Sequence, residues 1–283
     1  MTATADIRRL FLRLLLVAVL AIFLAQALFP FVWMAITAFK RDSDLYNPTN
    51  NPFLFNEPPT LAHFRLLFKE TKFPRWIMNT AGVGLATVLI TLVLALPAGY
   101  ALARLRGRVG QNLGIVVFLT YLIPPTLLLL PLSQIVSSIG LQDNTWSLVL
   151  TYPSLAVPFV SWLLMGFFRS LPQELEEAAL VDGATRFTAF SRILLPLAIP
   201  GILTAVIFTF TLAVNEFIYA LTFVSISDLK TVSVGVPTDL IRGDVFFWGA
   251  IMASALVVSL PVALLYNAFL DRFVEGLTAG ALR

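Results

Sequence analysis

The chain contains no cysteine and only one histidine, His63, in 283 residues. The first absence excludes disulfides, thiolate metal sites and a cysteine nucleophile. The second leaves no basis for a histidine metal cluster or a Ser/His/Asp triad. Charge is scarce as well: 12% of residues are Asp, Glu, Lys or Arg, against ~25% in an average soluble domain. The balance of 19 basic to 16 acidic residues, a net +3, is too slight to mark a nucleic-acid-binding surface. No G-x-x-x-x-G-K-[ST] run occurs, so the chain brings no phosphate loop of its own. What it has in abundance is apolar surface, with 58% hydrophobic residues and a mean hydropathy of +0.88.

A bilayer core about 30 Å thick takes about 20 apolar residues per helix. Six stretches meet that requirement, at about 14–39, 77–103, 113–136, 146–168, 199–220 and 246–269. Inside lipid each backbone group must be satisfied within its own segment, which selects helices; the short alternating segments of a β-barrel are absent. The expectation is an all-α polytopic membrane protein of six transmembrane helices, forming one domain over 1–283. The first stretch competes with a signal-peptide reading, since Arg8, Arg9 and Arg13 precede it and Ala25-Gln26-Ala27 resembles a cleavage site. The apolar run continues past that site to Phe39, which favours a retained helix.

Lys and Arg concentrate in cytoplasmic loops. Arg104, Arg106 and Arg108 crowd the connection between the second and third stretches, while the next connection, around Gln142-Asp143-Asn144, has none. Both termini are therefore expected inside (N-in, C-in). The segment 40–75 opposes this with six Lys/Arg, but it is long, rich in Pro and Asn, and mixed in charge. Its part 42–59 has the composition of an ordered irregular loop, and 61–68 resembles a short amphipathic surface helix.

Proline is unusually frequent in the apolar stretches: Pro97, Pro124, Pro125, Pro131, Pro153, Pro158 and Pro261. Each removes a helical hydrogen bond and bends the axis, and together they suggest a bundle lining a changeable cavity. Gly82, Gly84 and Ala86 are expected to allow close helix contact. Glu216, beside Asn215, is the one acidic residue well inside an apolar run. At 1.5 Å per residue it lies roughly 25 Å along the fifth helix, near its outer end. Both an interfacial role and a place on a transport route suit it.

The loop 169–198 is the most informative segment. Ser170 with Gln173 forms a capping-box pattern and Pro172 suits a first turn. Glu174, Glu176 and Glu177 follow where the helix dipole favours negative charge. Gly183 is placed to end the helix in a left-handed conformation. A second helix is expected from about Arg186, with Phe187, Phe190 and Leu194 on one face, until Pro196 stops it. Physics alone leaves two readings open, a helix resting on headgroups or an acidic, alanine-centred knob that plugs a partner's groove.

Glu177-Ala178-Ala179, three residues, Gly183, nine residues, then Ile193-Leu194-Leu195-Pro196 resembles the EAA pattern of ABC importer permeases. Met78-Asn79-Thr80, Tyr100-Ala101-Leu102-Ala103-Arg104, Asn215-Glu216-Phe217 and the tail Gly276-Leu277-Thr278-Ala279-Gly280-Ala281 are similar to the carbohydrate-uptake branch of the maltose-permease type. Val214 departs from the aromatic often found there. The resemblance covers essentially the whole chain. It implies a non-enzymatic permease subunit of a binding-protein-dependent importer in a bacterial or archaeal cytoplasmic membrane. It also implies a second homologous permease, two ATPase subunits that bind ATP and Mg, and an extracytoplasmic sugar-binding protein.

The same resemblance makes 169–198 the ATPase-coupling loop. Glu177 supplies the polar contact, Ala178 and Ala179 permit close approach, and Asp182 and Gly183 form the turn. Ile193, Leu195 and Pro196 anchor the second helix. Asn215, Glu216, Tyr121 and Tyr152 are the candidates for the substrate pathway, and Trp162 is a further aromatic that could stack on a sugar ring. The alternative is an ion-coupled secondary transporter of a small polar solute, for which six spans and one internal Glu fit poorly.

Overall fold

The computed structural model describes residues 2–105 and 108–281, most of them helical; Arg106, one of the three arginines used to assign orientation, lies outside the described residues. The chain forms two compact units. One comprises the residues up to Thr71 with Asp239–Leu260, the other Lys72–Thr238 with the chain from Pro261 onward.

The first unit opens with α1 (Thr2–Phe39), which runs unbroken through Ala25-Gln26-Ala27 and across Pro30. A short α2 (Asp42–Leu45) and α3 (Ala62–Glu70) follow, the latter matching the expected amphipathic helix. Between them the loop is ordered by one buried carboxylate. Asp44 accepts from the side chains of Asn50 (2.9 Å) and Asn56 (2.8 Å) and from the Asn56 backbone N–H (3.0 Å). The buried Lys40 lies 3.5 Å from it and donates to the Asn51 carbonyl at 2.9 Å. Burial pushes the Asp44 pKa up, but the donors from Asn56, Asn50 and Glu57 outweigh it and hold the pKa at about 2. The strands β1 (Ile241–Arg242) and β2 (Val245–Phe246) form a hairpin that leads into α14 (Trp248–Ala281).

The second unit is built on α4 (Phe73–Arg104) and α7 (Thr145–Ser170), two long helices that Pro97, Pro153 and Pro158 leave continuous. They approach closely at Gly99, where a Cβ would stand 2.9 Å from the Leu164 Cβ and 3.1 Å from the Ser161 carbonyl oxygen. Gly84 likewise faces the Phe210 ring, whereas Gly82 faces open space and supports no close contact. One apolar core, with Ala95, Leu164, Phe168 and Leu194, packs near the Arg104 end of α4. Another, with Val83, Tyr152, Tyr219 and Phe223, packs toward the Phe73 end.

Two expected spans prove to be broken. The third divides into α5 (Val109–Tyr121) and α6 (Pro125–Ser138), bent by 82°. Pro124 and Pro125 remove two successive donors, and the residue before a proline is pushed out of helical geometry. The fifth, expected over 199–220, is α11 (Ile199–Asn215) and ends before Glu216; α12 (Ile218–Phe223) resumes after Phe217. Among the described residues three unbroken helices are long and apolar enough to cross a membrane, and the bent pairs raise that to five. The sixth expected span falls on α14, whose described apolar stretch is Trp248–Leu264. A short 3-10 turn (Ser227–Leu229) and α13 (Val232–Leu240) fill the segment after α12.

Candidate functional site

The loop after α7 folds into a compact hairpin. Ser170 is not its cap: this residue closes α7 and its hydroxyl donates to the Phe167 carbonyl at 2.7 Å. The first leg is α8 (Glu174–Val181), with all three glutamates in its opening turn. Gly183 adopts φ +85° as expected, and the turn is closed by Gly183 N–H to Leu180 O (3.1 Å) and Ala184 N–H to Ala179 O (2.9 Å). This pair of bonds satisfies the last carbonyls of α8. Thr185 then caps α9 (Arg186–Ala189) by accepting from Thr188 N–H at 3.2 Å.

The second leg does not stop at Pro196. It widens into a π-helical turn (Phe190–Leu194), in which Leu195 N–H reaches the Phe190 carbonyl, and continues as α10 (Leu195–Leu197) before bending 76° into α11. The wider turn accommodates the proline, which lacks a donor. It also changes the helical phase. Phe187 is 75% exposed while Leu194 is fully buried, so the expected single apolar face is divided.

The hairpin therefore has a distinct outward side. Glu177, Ala178, Asp182 and Gly183 are exposed, joined by Val181 and Phe187. Ala179 points inward instead, and so cannot itself present the close-approach surface expected of it. Pro196 is exposed and Ile193 and Leu195 are half-buried, while Leu194 and Ala189 provide the buried anchor.

Sequence reasoning missed the polar attachment of this hairpin. Glu176 is buried, and its Oε1 accepts from the Tyr100 hydroxyl at 2.5 Å. Its Oε2 lies 2.8 Å from Arg104 Nε, an ion pair by distance rather than an aligned hydrogen bond. The Tyr100 ring packs 4.8 Å from Phe190 and 6.0 Å from Phe168. Tyr100 and Arg104 are four residues apart on α4 and therefore share a face. That spacing was the available signal, although it does not name Glu176 as the partner.

At the other core, the two breaks face each other across a cavity of ≈ 830 Å³. Thr120 and Tyr121 line it from the end of α5, Ser154 from α7, and Asn215, Glu216 and Phe217 from the α11–α12 break. The structure thus gathers three of the four pathway candidates, Tyr121, Asn215 and Glu216, and attaches the fourth: the buried Tyr152 donates its hydroxyl to Glu216 Oε2 at 3.0 Å. Trp162 does not line the cavity; it packs against Phe118, 4.7 Å away.

Glu216 acts chiefly on the backbone. Its carboxylate accepts from Tyr219 N–H (2.9 Å) and Ala220 N–H (3.0 Å), capping the first turn of α12. Tyr219 in turn donates its hydroxyl to the Pro125 carbonyl at 2.8 Å, linking the two breaks. Irregular backbone that lines a cavity needs partners for its polar groups, and here side chains supply them. Asn215 is exposed, lines the cavity, and donates its Nδ2 to Thr211 O at 2.9 Å.

The sequence pattern of the family described as "Binding-protein-dependent transport system inner membrane component" matches residues 95–278. The chain is 35% identical to the permease protein of a sulfoquinovosyl glycerol transport system in Agrobacterium fabrum, over 93% of this chain and 91% of that one. It is 34% identical to the permease protein of a trehalose transport system in Mycobacterium tuberculosis, over 91% and 93%. Its fold is similar to a chain of a bacterial ABC transporter involved in the import of the acidic polysaccharide alginate. The TM-score is 0.78 at 20% identity, covering 92% of this chain and 95% of that one.

Proposed function

Because the chain belongs to the family of binding-protein-dependent transport system inner membrane components, we propose that it is the multi-pass permease subunit of an ABC importer for a sugar or related polyol. Its named relatives are permeases of saccharide transport systems, which supports that substrate class. They lend no support to an ion-coupled secondary transporter. The subunit forms half of the pathway in the cytoplasmic membrane, N-in and C-in with six spans, beside a second related permease. ATP and Mg are bound by two separate ATPase subunits, and an extracytoplasmic binding protein delivers the sugar.

The observation that carries this reading is the outward side of the 169–198 hairpin. Glu177 and Ala178 stand exposed on the same hairpin as the exposed Val181 and Phe187, large apolar side chains that water alone does not favour. Such a knob suits a groove with a basic group in its wall, as a docking surface on the ATPase requires. The Asp182-Gly183 turn holds the knob's shape, and Leu194, flanked by Ile193 and Leu195, roots it in the bundle. The cavity at the two breaks is the substrate pathway, with Tyr121 and Asn215 toward the sugar, and Glu216 and Tyr152 holding the break. The test is purification of the chain from its native membrane. A co-purifying ATPase, lost on Glu177→Arg with Val181→Asp, supports docking. An ATPase that remains bound to that double variant would refute it, and uptake abolished by an uncoupler with ATP intact would refute the importer reading.

A further inference from the structure

Both ends of α4 are fastened by polar side-chain contacts to segments distant in sequence. At one end Tyr100 and Arg104 grip the two oxygens of Glu176 on the hairpin. At the other, Asn79 Nδ2 donates to the carbonyls of Asp228 (2.9 Å) and Lys230 (3.0 Å). Thr80 Oγ1 accepts from Val232 N–H at 2.9 Å, and Trp76 Nε1 donates to the Ser227 carbonyl at 2.7 Å. From this second segment, Ser233 Oγ donates to the Glu216 carbonyl at 2.7 Å, the backbone of the break that lines the cavity. Both attachments sit on one unbroken helix of 32 residues, about 48 Å long at 1.5 Å per residue.

We infer that α4 is a transmission rod, which carries displacement of the hairpin, through Glu176, to the segment 227–233 and thence to the cavity wall at Glu216. The inference rests on the reading that the hairpin docks on an ATPase. Its mechanical basis is the two-point grip. A carboxylate hydrogen-bonded through one oxygen to Tyr100 and ion-paired through the other with Arg104, one helical turn along, resists sliding along α4 as well as rotation about it. Apolar packing by Leu194 and Phe190 resists neither as sharply, because such contacts have no direction. Burying Glu176 and Arg104 costs desolvation that a hydrophobic pair would avoid, and Arg104 Nη2 is buried with no hydrogen-bond partner. A grip that leaves a donor over has a second arrangement within reach, which a moving joint needs.

The test uses the complete importer in lipid nanodiscs and reads backbone hydrogen–deuterium exchange over 226–234, with and without Mg-ATP and vanadate. In the native protein, trapping changes exchange there several-fold. Glu176→Gln abolishes most of that change while the ATPase stays bound, and Tyr100→Phe reduces it. Arg104→Lys, which keeps the charge, retains it in part, a rescue that loss of folding does not allow. Asn79→Ala with Thr80→Val removes three of the four far-end hydrogen bonds, leaving Trp76 to Ser227, and weakens the response even if Glu176→Gln fails to accumulate. An undiminished exchange response in Glu176→Gln, or no response at 226–234 in the native complex with ATPase bound, overturns the inference. Absence of bound ATPase in the native preparation is a different result, and removes the docking reading instead.

Discussion

The phenol of Tyr152 on α7 donates to Glu216 Oε2 at 3.0 Å, so two residues separately suspected of meeting substrate are in fact bonded to each other. The bond fixes the orientation of a carboxylate already accepting from the Tyr219 and Ala220 backbones. Glu216 is thereby a part of the wall's framework, and under the proposed function the cavity-lining groups offered to a sugar are Asn215 and Tyr121.

Tyr152→Phe removes only the hydroxyl. Hydrogen bonds between membrane helices are worth about 0.6 kcal/mol on average and up to about 1.7, so the chain stays assembled with a small fall in thermal stability. Uptake should decline modestly. Glu216→Ala also removes the cap of α12, a loss of about 1 kcal/mol, and uptake should fall much further. Equal uptake in both variants contradicts the framework role.

A Cβ added at Gly183 would meet nothing within 4 Å, so the constraint is the backbone alone, φ +85°. Gly183→Val then costs roughly 1–2 kcal/mol from left-handed strain. Gly183→Asn costs less, since Asn tolerates this region. The ratio of sugar transported to ATP hydrolysed should fall in the order Gly, Asn, Val. Coupling by the Val variant equal to that of the native protein contradicts the turn's role.

Gly99→Ala meets backbone as well as side chain on α7, with contacts of 2.9–3.1 Å. Overpacking of this kind costs about 1–3 kcal/mol. The expected result is a lower melting temperature in detergent, with Gly82→Ala, which faces open space, leaving it unchanged.

Asp44 supplies a pH signature in the loop 42–57. Its pKa falls from 3.8 to about 2 in the folded chain. The stabilisation is therefore complete above pH 3.8 and is lost as pH falls through about 2. Proteolysis or exchange of this loop should accelerate over that window, with no change across the neutral range. Asp44→Asn, which accepts fewer hydrogen bonds, should loosen the loop at neutral pH.

The apolar runs, the hairpin and its glycine turn were all legible in the sequence, because each is decided within one segment. A run of about 20 apolar residues needs lipid wherever its neighbours lie, and Gly183 turns left because of its own missing Cβ. The prolines announced bends, but not which of them would break a helix. Pro124 and Pro125, adjacent in the chain, end α5, while Pro97 and Pro153 sit in helices braced by each other. Which alanine of the hairpin faces inward, and that Glu176 rather than Glu177 is its anchor, came only from the fold. The partners of Glu176 and Glu216 lie 76 and 64 residues away, and local preference has no reach over such a span. Sequence by itself determined that the chain enters a membrane and where it offers a knob; tertiary contact alone decided what grips that knob and what holds the cavity open, since a directional polar bond exists only once both ends are brought to within about 3 Å.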